Sequence, residues 1–152
     1  MSRKVVLYTD PAWSIDDRGE LNPDLASIEY EVFSKSQLDI ELKYGPFQNG
    51  RFVTEGPEFI DAMKQADGVV IYRAQMTPEV INAIQSKTQV VGRQGVGFDN
   101  LNAPLLEKQG IFGFNVPDYC PDEVSTHTTC LLLALERHLI VQNNRLKGGR
   151  FN

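Results

Sequence analysis

Short apolar runs rich in valine and isoleucine alternate along this chain with segments that open on helix-capping residues and proline. Apolar runs bounded by turn residues are typical of buried strands, and they occur at residues 4–8, 38–42, 68–72, 89–92 and 111–114. Helical patterns follow Asn22-Pro23 and Thr77-Pro78 and cover residues 58–65, 102–109 and 121–147. Because parallel strands need crossover connections, this order predicts an α/β fold with helices on both faces of a parallel sheet.

The length of 152 residues suits a single domain. Five strands joined by helices predict a flavodoxin-like, doubly wound five-stranded parallel sheet over residues 1–120. A long helix is predicted over residues 121–147, before Gly148-Gly149. Asp122 and Glu123 in its first turn suit the positive end of the helix dipole.

Charge and composition argue against several classes of function. The net charge is -5 and no cluster of lysine and arginine occurs, so nucleic-acid binding is not expected. The longest apolar run, from Cys130 to Leu135, is far too short to span a membrane. The N-terminus lacks the apolar core of a signal peptide, and Cys120 and Cys130 do not make a disulfide framework. We therefore expect a cytoplasmic protein.

Three predicted strand ends carry polar or glycine-rich segments, at residues 72–77, 92–100 and 114–119. Ligands of open α/β sheets bind outside the carboxyl ends of the strands. Arg73 follows a strand and could bind a carboxylate through two parallel hydrogen bonds, although a solvated loop arginine is the other interpretation. Gly95 and Gly97 allow a close backbone approach or a positive φ.

The sequence Gly95-Val96-Gly97 invites comparison with the dinucleotide-binding pattern G-x-G-x-x-G. The third glycine of that pattern would fall on Asn100, and the spacing to Asp118 does not suit the acidic residue that should follow. We do not interpret this segment as a phosphate-binding loop.

A set of ordered motifs fills the second half of the chain. They are Arg93-Gln94-Gly95-Val96-Gly97-Phe98-Asp99-Asn100, Gly110-Ile111, Asn115-Val116-Pro117-Asp118-Tyr119 and Asp122-Glu123-Val124, followed by a leucine-rich helix. In sequence and spacing they closely resemble the D-isomer-specific 2-hydroxyacid dehydrogenases, nearest the branch that includes C-terminal-binding-protein-like members. The dense match covers residues 90–152, and residues 1–89 match in layout only.

The resemblance implies the substrate-side (catalytic) lobe of an NAD(P)-dependent oxidoreductase that acts on the CH–OH group of a D-2-hydroxy acid. In the family the long helix crosses to a second lobe, which carries G-x-G-x-x-G and binds NAD(H) or NADP(H). The family's catalytic arginine, glutamate and histidine also lie in that lobe, beyond the position of Asn152. We therefore expect a truncated chain without catalytic residues, inactive alone and without tight cofactor binding.

Site residues carry over from the family position by position. Tyr72, Arg73 and Ala74 match a substrate loop that uses side chains and backbone N–H groups. Gly95 and Val96 match a turn that faces the cleft, where Val96 would touch substrate or nicotinamide. Thr128 matches a helix position on the nicotinamide side, although alone it would be an ordinary helix threonine.

Supporting roles are expected for neighbouring residues. Arg93 is expected to be structural or to line the cleft. Asp99-Asn100 is expected to brace the loop by satisfying backbone donors rather than to act directly.

The sequence contains only two histidines, His127 and His138. On one continuous helix they would share a face, and a helix-surface or interface role is favoured over catalysis. His127 and Cys130 stand at i, i+3, but two ligands do not make a zinc site. No metal is expected.

The run from Cys130 to Leu135 would make a helix apolar on every side. Such a helix has to be buried by other parts of the protein or by a partner. We therefore expect a homodimer or larger assembly through residues 124–142. The alternative to a dehydrogenase lobe is a non-catalytic module that binds a small 2-hydroxy or 2-keto acid, or one that serves protein interaction or dimerisation.

Overall fold

The computed structural model describes residues 3–150, which form two compact units divided after Pro117. The strands are β1 Lys4–Tyr8, β2 Ile40–Tyr44, β3 Phe47–Gln48, β4 Arg51–Phe52, β5 Gly68–Ile71, β6 Val90–Arg93 and β7 Phe112–Phe114. The helices are α1 Ser27–Lys35, α2 Gly56–Met63, α3 Pro78–Ile84, α4 Ala103–Lys108, α5 Pro121–Glu136 and α6 Leu139–Lys147. Short 3-10 helices cover Ala12–Ser14 and Pro23–Ala26.

The first unit is built on a five-stranded parallel sheet in the order β2-β1-β5-β6-β7. This order reverses direction beside β1, which is the flavodoxin-like doubly wound arrangement. The α/β fold class predicted from the alternating pattern is therefore confirmed. The carboxyl ends of β1, β5 and β6 meet at the same edge of the sheet.

The core lies where α2, α3 and α4 pack on one face of the sheet. Leu7, Val69 and Val91 occupy one row across β1, β5 and β6, and all are at most 2% exposed. From the helices, Phe59 and Ile81 are fully buried against this row. Each such side chain contributes about 1.5–3 kcal/mol of transfer free energy, so the sheet is a rigid support for the loops at its edges.

Helix starts follow the residues that the sequence indicated. Thr77 caps α3 by accepting a hydrogen bond from Val80 N–H at 3.3 Å, with Pro78 in the first turn. Asn22 accepts from Asp24 N–H, but it caps the short 3-10 helix rather than α1 itself.

Several boundaries differ from the sequence interpretation, and the helix expected over residues 58–65 begins earlier, as Gly56–Met63. The strand expected at 38–42 is shifted to Ile40–Tyr44. Asn49-Gly50 is the turn of a small antiparallel hairpin of β3 and β4, which follows Gly45-Pro46 and was not predicted. Asn49 and Gly50 both have positive φ, as a tight hairpin turn requires.

The prediction of one continuous helix over residues 121–147 is wrong. Helix α5 ends at Glu136 and α6 begins at Leu139, because His138 between them has a φ of 52°, in the left-handed region. His127 and His138 therefore do not share a face of one helix. Non-glycine residues adopt this conformation only rarely, and no glycine or proline marks the break in the sequence.

Candidate functional site

The candidate site lies at the carboxyl ends of β5 and β6, where residues 72–76 and 93–100 form two adjoining turns. Gln94 N–H donates to the Ile71 carbonyl at 2.8 Å and links the two strand ends. The side-chain amide of Asn100 donates to the carbonyls of Tyr72, at 3.2 Å, and Ala74, at 2.8 Å. Asn100 thus braces the first turn, with its side-chain amide as a donor and with its own carbonyl, which accepts from Met76 N–H at 2.9 Å.

Asp10 is the residue that the sequence interpretation missed. It is 6% exposed and immediately follows β1. Its carboxylate accepts hydrogen bonds from Tyr72 N–H at 3.0 Å, Arg73 N–H at 2.6 Å and the Thr9 hydroxyl at 2.5 Å. An aspartate directly after a buried strand, at the edge that carries the candidate site, was the available signal.

These hydrogen bonds to Asp10 reduce the number of unpaired backbone N–H groups in the first turn. The N–H groups of Tyr72 and Arg73 are already bonded to Asp10. Ala74 N–H has no hydrogen-bond partner among residues 3–150. Of the three backbone donors expected at the substrate loop, only that of Ala74 is therefore unpaired, and Ala74 itself is 1% exposed.

The second turn, at residues 95–98, presents further unused donors. Asn115 holds it from one side by donating its side-chain amide to the Val96 carbonyl at 2.7 Å. Val116 N–H donates to the Gly95 carbonyl at 3.1 Å. Within the described part of the chain, the N–H groups of Val96 and Gly97 have no acceptor. Successive unpaired N–H groups in a turn favour an anion.

Gly95 is required at its position by a close approach. Its φ is 145°, and a Cβ placed there would lie 1.6 Å from Nη1 of Arg93. Any side chain would displace that guanidinium. The glycine therefore allows Arg93 to reach the same edge of the sheet as the two turns.

Two arginines flank Tyr72 at the site. The guanidinium carbons of Arg73 and Arg93 lie 5.3 and 5.7 Å from the centre of the tyrosine ring, within the range of a cation–π contact. Neither arginine has an ion pair among the described residues. Nε of Arg93 is also buried without an acceptor. This edge of the sheet thus has uncompensated positive charge in a chain whose net charge is -5.

Two clefts share Tyr72 and Arg73. The first has a volume of about 410 Å³ and is lined by Tyr72, Arg73, Gln75, Arg93, Gly97, Asp99 and Asn100. The second has a volume of about 400 Å³ and is lined by Asp10, Ala12, Ile15, Gly50, Arg51, Phe52, Thr54, Tyr72 and Arg73. Both volumes suit a small molecule. Their linings suit an anion.

The remaining sequence candidates lie in the second unit. The Thr128 hydroxyl donates to the Val124 carbonyl one turn earlier, at 2.7 Å, and Thr128 is exposed. His127 and Cys130 line a shallow depression along α5 with Asp122 and Glu123. No group of histidine, cysteine and acidic residues with metal-binding geometry occurs among residues 3–150.

A dinucleotide phosphate loop does not fit the turn at Gly95 and Gly97. Such a loop leads directly into a helix whose N-terminus faces the phosphates. Here α4 begins only at Ala103, after Asn102 in a left-handed conformation with no side-chain cap. The geometry agrees with the sequence interpretation of this segment.

Helices of the described chain are also too short or too polar to cross a bilayer. None between residues 3 and 150 combines the length and hydropathy needed.

Comparison with known proteins identifies relatives of this arrangement. A D-3-phosphoglycerate dehydrogenase of Synechocystis is 30% identical over 94 residues, which cover 62% of this chain and 17% of that protein. A D-lactate dehydrogenase of Lactiplantibacillus pentosus is 28% identical over 124 residues, covering 80% of this chain and 36% of that protein. The chain thus spans well under half the length of these curated relatives.

A solved structure supports the fold. D-lactate dehydrogenase with NAD+ from Lactobacillus jensenii matches 97% of this chain and 40% of its own, with a TM-score of 0.63 and 17% sequence identity. The sequence family model described as D-isomer specific 2-hydroxyacid dehydrogenase, catalytic domain, matches residues 24–144. The resemblance found in the motifs is therefore confirmed, and the chain belongs to the D-isomer specific 2-hydroxyacid dehydrogenase family, of which it contains the catalytic-domain region.

Proposed function

We propose that this chain is the substrate-side domain of an NAD(P)-dependent oxidoreductase that acts on the CH–OH group of a D-2-hydroxy acid. In this proposal the acid's carboxylate binds at the carboxyl ends of β5 and β6. The observation that carries it is the convergence of unpaired backbone donors and unpaired guanidinium groups at one edge of the sheet.

Each residue of the site has a defined part in binding. Arg73 supplies the positive charge for the carboxylate, and the N–H groups of Ala74, Val96 and Gly97 supply hydrogen bonds. Tyr72 holds Arg73 and Arg93 against its ring. Gly95 keeps the second turn close to Arg93. The acid is thereby oriented with its carboxylate against the sheet edge.

These residues are proposed to bind the acid, but oxidation of the acid needs further groups. Oxidation of a hydroxyl needs a base and a hydride acceptor beside the substrate, and residues 1–117 contain no histidine. In the complete reaction NAD or NADP accepts the hydride, and Val96 and Thr128 are our candidates for its nicotinamide side. We expect the 152 residues to bind the acid without turning it over and to bind the cofactor weakly.

Calorimetry tests this proposal with glycolate, lactate, glyoxylate and pyruvate. We expect saturable heat with at least one acid, and we expect Arg73→Gln to weaken binding about tenfold, as the loss of a charge-assisted hydrogen bond would. Arg145→Gln, on α6, removes the same charge elsewhere and should leave the affinity unchanged. The absence of heat with all four acids would refute the proposed site. Steady oxidation of NADH with a keto acid would refute the absence of turnover.

A second proposed role is self-association through residues 124–142. No residue of α5 or α6 is buried, and Leu132 and Leu135 are 62% and 74% exposed. Such an apolar surface favours association. We expect a homodimer or larger species by light scattering, and Leu132→Glu should dissociate it. A wild-type chain that is monomeric at micromolar concentration would contradict this role.

The cytoplasmic location expected from the sequence remains part of the proposal. It is supported by the two free cysteines, of which Cys130 is exposed, since exposed thiols persist in reducing compartments.

A further inference from the structure

The turn at residues 95–98 is held by the two residues that follow β7. The side-chain amide of Asn115 donates to the Val96 carbonyl at 2.7 Å. The backbone N–H of Val116 donates to the Gly95 carbonyl at 3.1 Å. Two consecutive carbonyl groups of the turn are thus bonded to two consecutive residues at the end of the neighbouring strand.

These bonds also orient the N–H groups of the same peptide groups. In a trans peptide the carbonyl and the N–H lie in one plane and point in opposite directions. The Val96 carbonyl is directed to Asn115, so the N–H of Gly97 is directed to the opposite side. In the same way, the bond to the Gly95 carbonyl sets the direction of Val96 N–H. These are the two N–H groups of the turn that have no acceptor among residues 3–150.

The two peptide groups differ in how strongly their own residues restrain them. Turning a peptide group over changes the φ of the residue on its carboxyl side. Between Gly95 and Val96 that residue is a β-branched valine, for which a positive φ is a strong outlier. Between Val96 and Gly97 it is a glycine, which adopts φ of either sign. In the described chain, the bond from Asn115 is the one hydrogen bond that holds this second peptide group.

The orientation of this peptide group decides what the turn presents to an anion. Gly97 lines the same cleft as Arg73 and Arg93. An N–H directed into this cleft attracts a carboxylate. After a flip, the carbonyl oxygen of Val96 would take its place and repel the carboxylate.

We propose that Asn115 is a positioning residue for acid binding, which keeps the N–H of Gly97 directed at the carboxylate of the substrate. This inference rests on the proposed function, because it takes the acid to be bound at the ends of β5 and β6. Asn115 acts through the peptide group between Val96 and Gly97 and does not contact the acid itself.

Asn115→Ala removes the hydrogen bond and tests the proposal in the bound state. The probe is the acid that the wild type binds most tightly among glycolate, lactate, glyoxylate and pyruvate. We expect its affinity in calorimetry to fall about tenfold, as the loss of one hydrogen bond to a charged group would give. In an NMR titration at equal saturation, the shift of the Gly97 amide should be lost and that of Val96 kept. A merely structural role would change both amides or neither.

The orientation of the peptide group can also be measured without a ligand. In weakly aligned samples, Asn115→Ala should change the residual dipolar coupling of Gly97 N–H and leave that of Val96 N–H as in the wild type. Adding Gly97→Ala should return the coupling at position 97 towards its wild-type value, because alanine disfavours the positive φ of a flipped peptide. There is room for this methyl group, since the nearest atom, a carboxylate oxygen of Asp99, would lie 3.8 Å away.

Asn82→Ala, on α3, is the matched control. The side chain of Asn82 also makes one exposed hydrogen bond, accepted from the Gln109 amide at 3.0 Å. The Asn82→Ala variant should bind the acid as the wild type does, and circular dichroism should show the wild-type fold in both variants. Wild-type affinity in Asn115→Ala, or an unchanged coupling at Gly97, would overturn the positioning role and leave the proposed function standing. If the wild type binds none of the four acids, both proposals fail.

Discussion

At each end of the strand pair β1 and β5, a carboxylate accepts hydrogen bonds from backbone N–H groups of the neighbouring strand or of the turn after it. The two ends differ in whether the nearby cationic side chains have a carboxylate partner. At the amino-terminal end, Asp67 accepts hydrogen bonds from Val5 N–H and from the ammonium of Lys4, both at 2.9 Å. At the carboxyl-terminal end, Asp10 accepts from the N–H groups of Tyr72 and Arg73. The same device, a carboxylate on the neighbouring strand's backbone, therefore occurs twice on one pair of strands.

The cationic side chains are paired at one end of these strands and unpaired at the other. Lys4 faces Asp67 directly and is paired with it. Near Asp10, the guanidinium groups of Arg51, Arg73 and Arg93 have no carboxylate partner in the described chain. The paired end stabilises the sheet, whereas the unpaired end is where we propose that an anionic ligand binds. Charges that the protein leaves uncompensated therefore mark this end of the sheet as the candidate ligand site.

Removing Asp10 should have the largest effect. In Asp10→Ala two backbone N–H groups lose their acceptor at a buried position, which costs about 3 kcal/mol in the free energy of unfolding. The turn at Tyr72 and Arg73 also loses its position, so acid binding should be abolished. Urea unfolding and calorimetry measure the two effects. An Asp10→Ala variant that binds acid as the wild type does would show that this carboxylate does not organise the site.

Gly45 tests whether the hairpin depends on the close approach to β1. Gly45→Ala forces a methyl group against the Thr9 carbonyl oxygen, and we expect a loss of about 2 kcal/mol, typical of overpacking. Gly97→Ala is the matched control for stability, because the nearest atom to its Cβ, a carboxylate oxygen of Asp99, would be 3.8 Å away. Thermal unfolding should therefore separate the two variants. Equal melting temperatures would contradict the proposed constraint.

Asp67 should affect stability alone. Hydrogen bonds from Val5 N–H and then Lys4 hold the pKa of Asp67 below its ordinary value of 3.8. Its contribution is therefore present above that pH and is lost as the pH falls through the lowered pKa. We expect Asp67→Asn to cost about 1 kcal/mol at pH 7, with a difference from wild type that shrinks below pH 3.8.

The acid affinity of Asp67→Asn should equal that of the wild type, because the substitution lies at the opposite end of the sheet. Calorimetry at pH 7 provides this control. A loss of acid binding in this variant would mean that the two ends of β1 and β5 are not independent.

The smallest expected effect is a loss of stability at alkaline pH, caused by tyrosines at the carboxyl-terminal ends of β1 and β2. Burial raises the pKa of Tyr8 to about 12, with a further contribution from Glu29, and burial likewise raises the pKa of Tyr44 to about 12. A raised pKa stabilises the fold below the unfolded value of 10.0, and this stabilisation is lost as the pH rises to about 12. Tyr8→Phe should make the loss of stability in this range less steep. An unchanged slope in chemical unfolding would contradict this assignment.

Much of the fold could be predicted from the sequence because its signals are local. The β-branched run Gly68–Ile71 and the start of α3 at Thr77-Pro78 each need only their own residues. The break at His138 could not be predicted, because a left-handed residue there has no glycine to mark it. The hairpin strands have two residues each, too few for a periodic pattern.

The site was predictable only in part, because its contacts join residues distant in sequence. Arg73 and Gly95 were proposed from their positions after a strand and within the motif, and the structure places them in adjoining turns. Asp10 contacts a turn 62 and 63 residues away, and its one local signal, a position directly after a buried strand, does not identify these partners. Arg51 reaches the site through the hairpin, which the sequence pattern did not reveal. Such long-range contacts depend on strand order rather than on local propensity.

A residue-resolved NMR titration of the backbone amides with D-lactate and D-malate tests directly whether an acid binds at the ends of β5 and β6. We expect saturable shifts at Ala74, Val96 and Gly97, whose N–H groups are unpaired, and none at Val5, whose N–H is bonded to Asp67. Shifts confined to α5 or α6, or no saturable shift at those three amides, would contradict an acid-binding edge at the ends of β5 and β6.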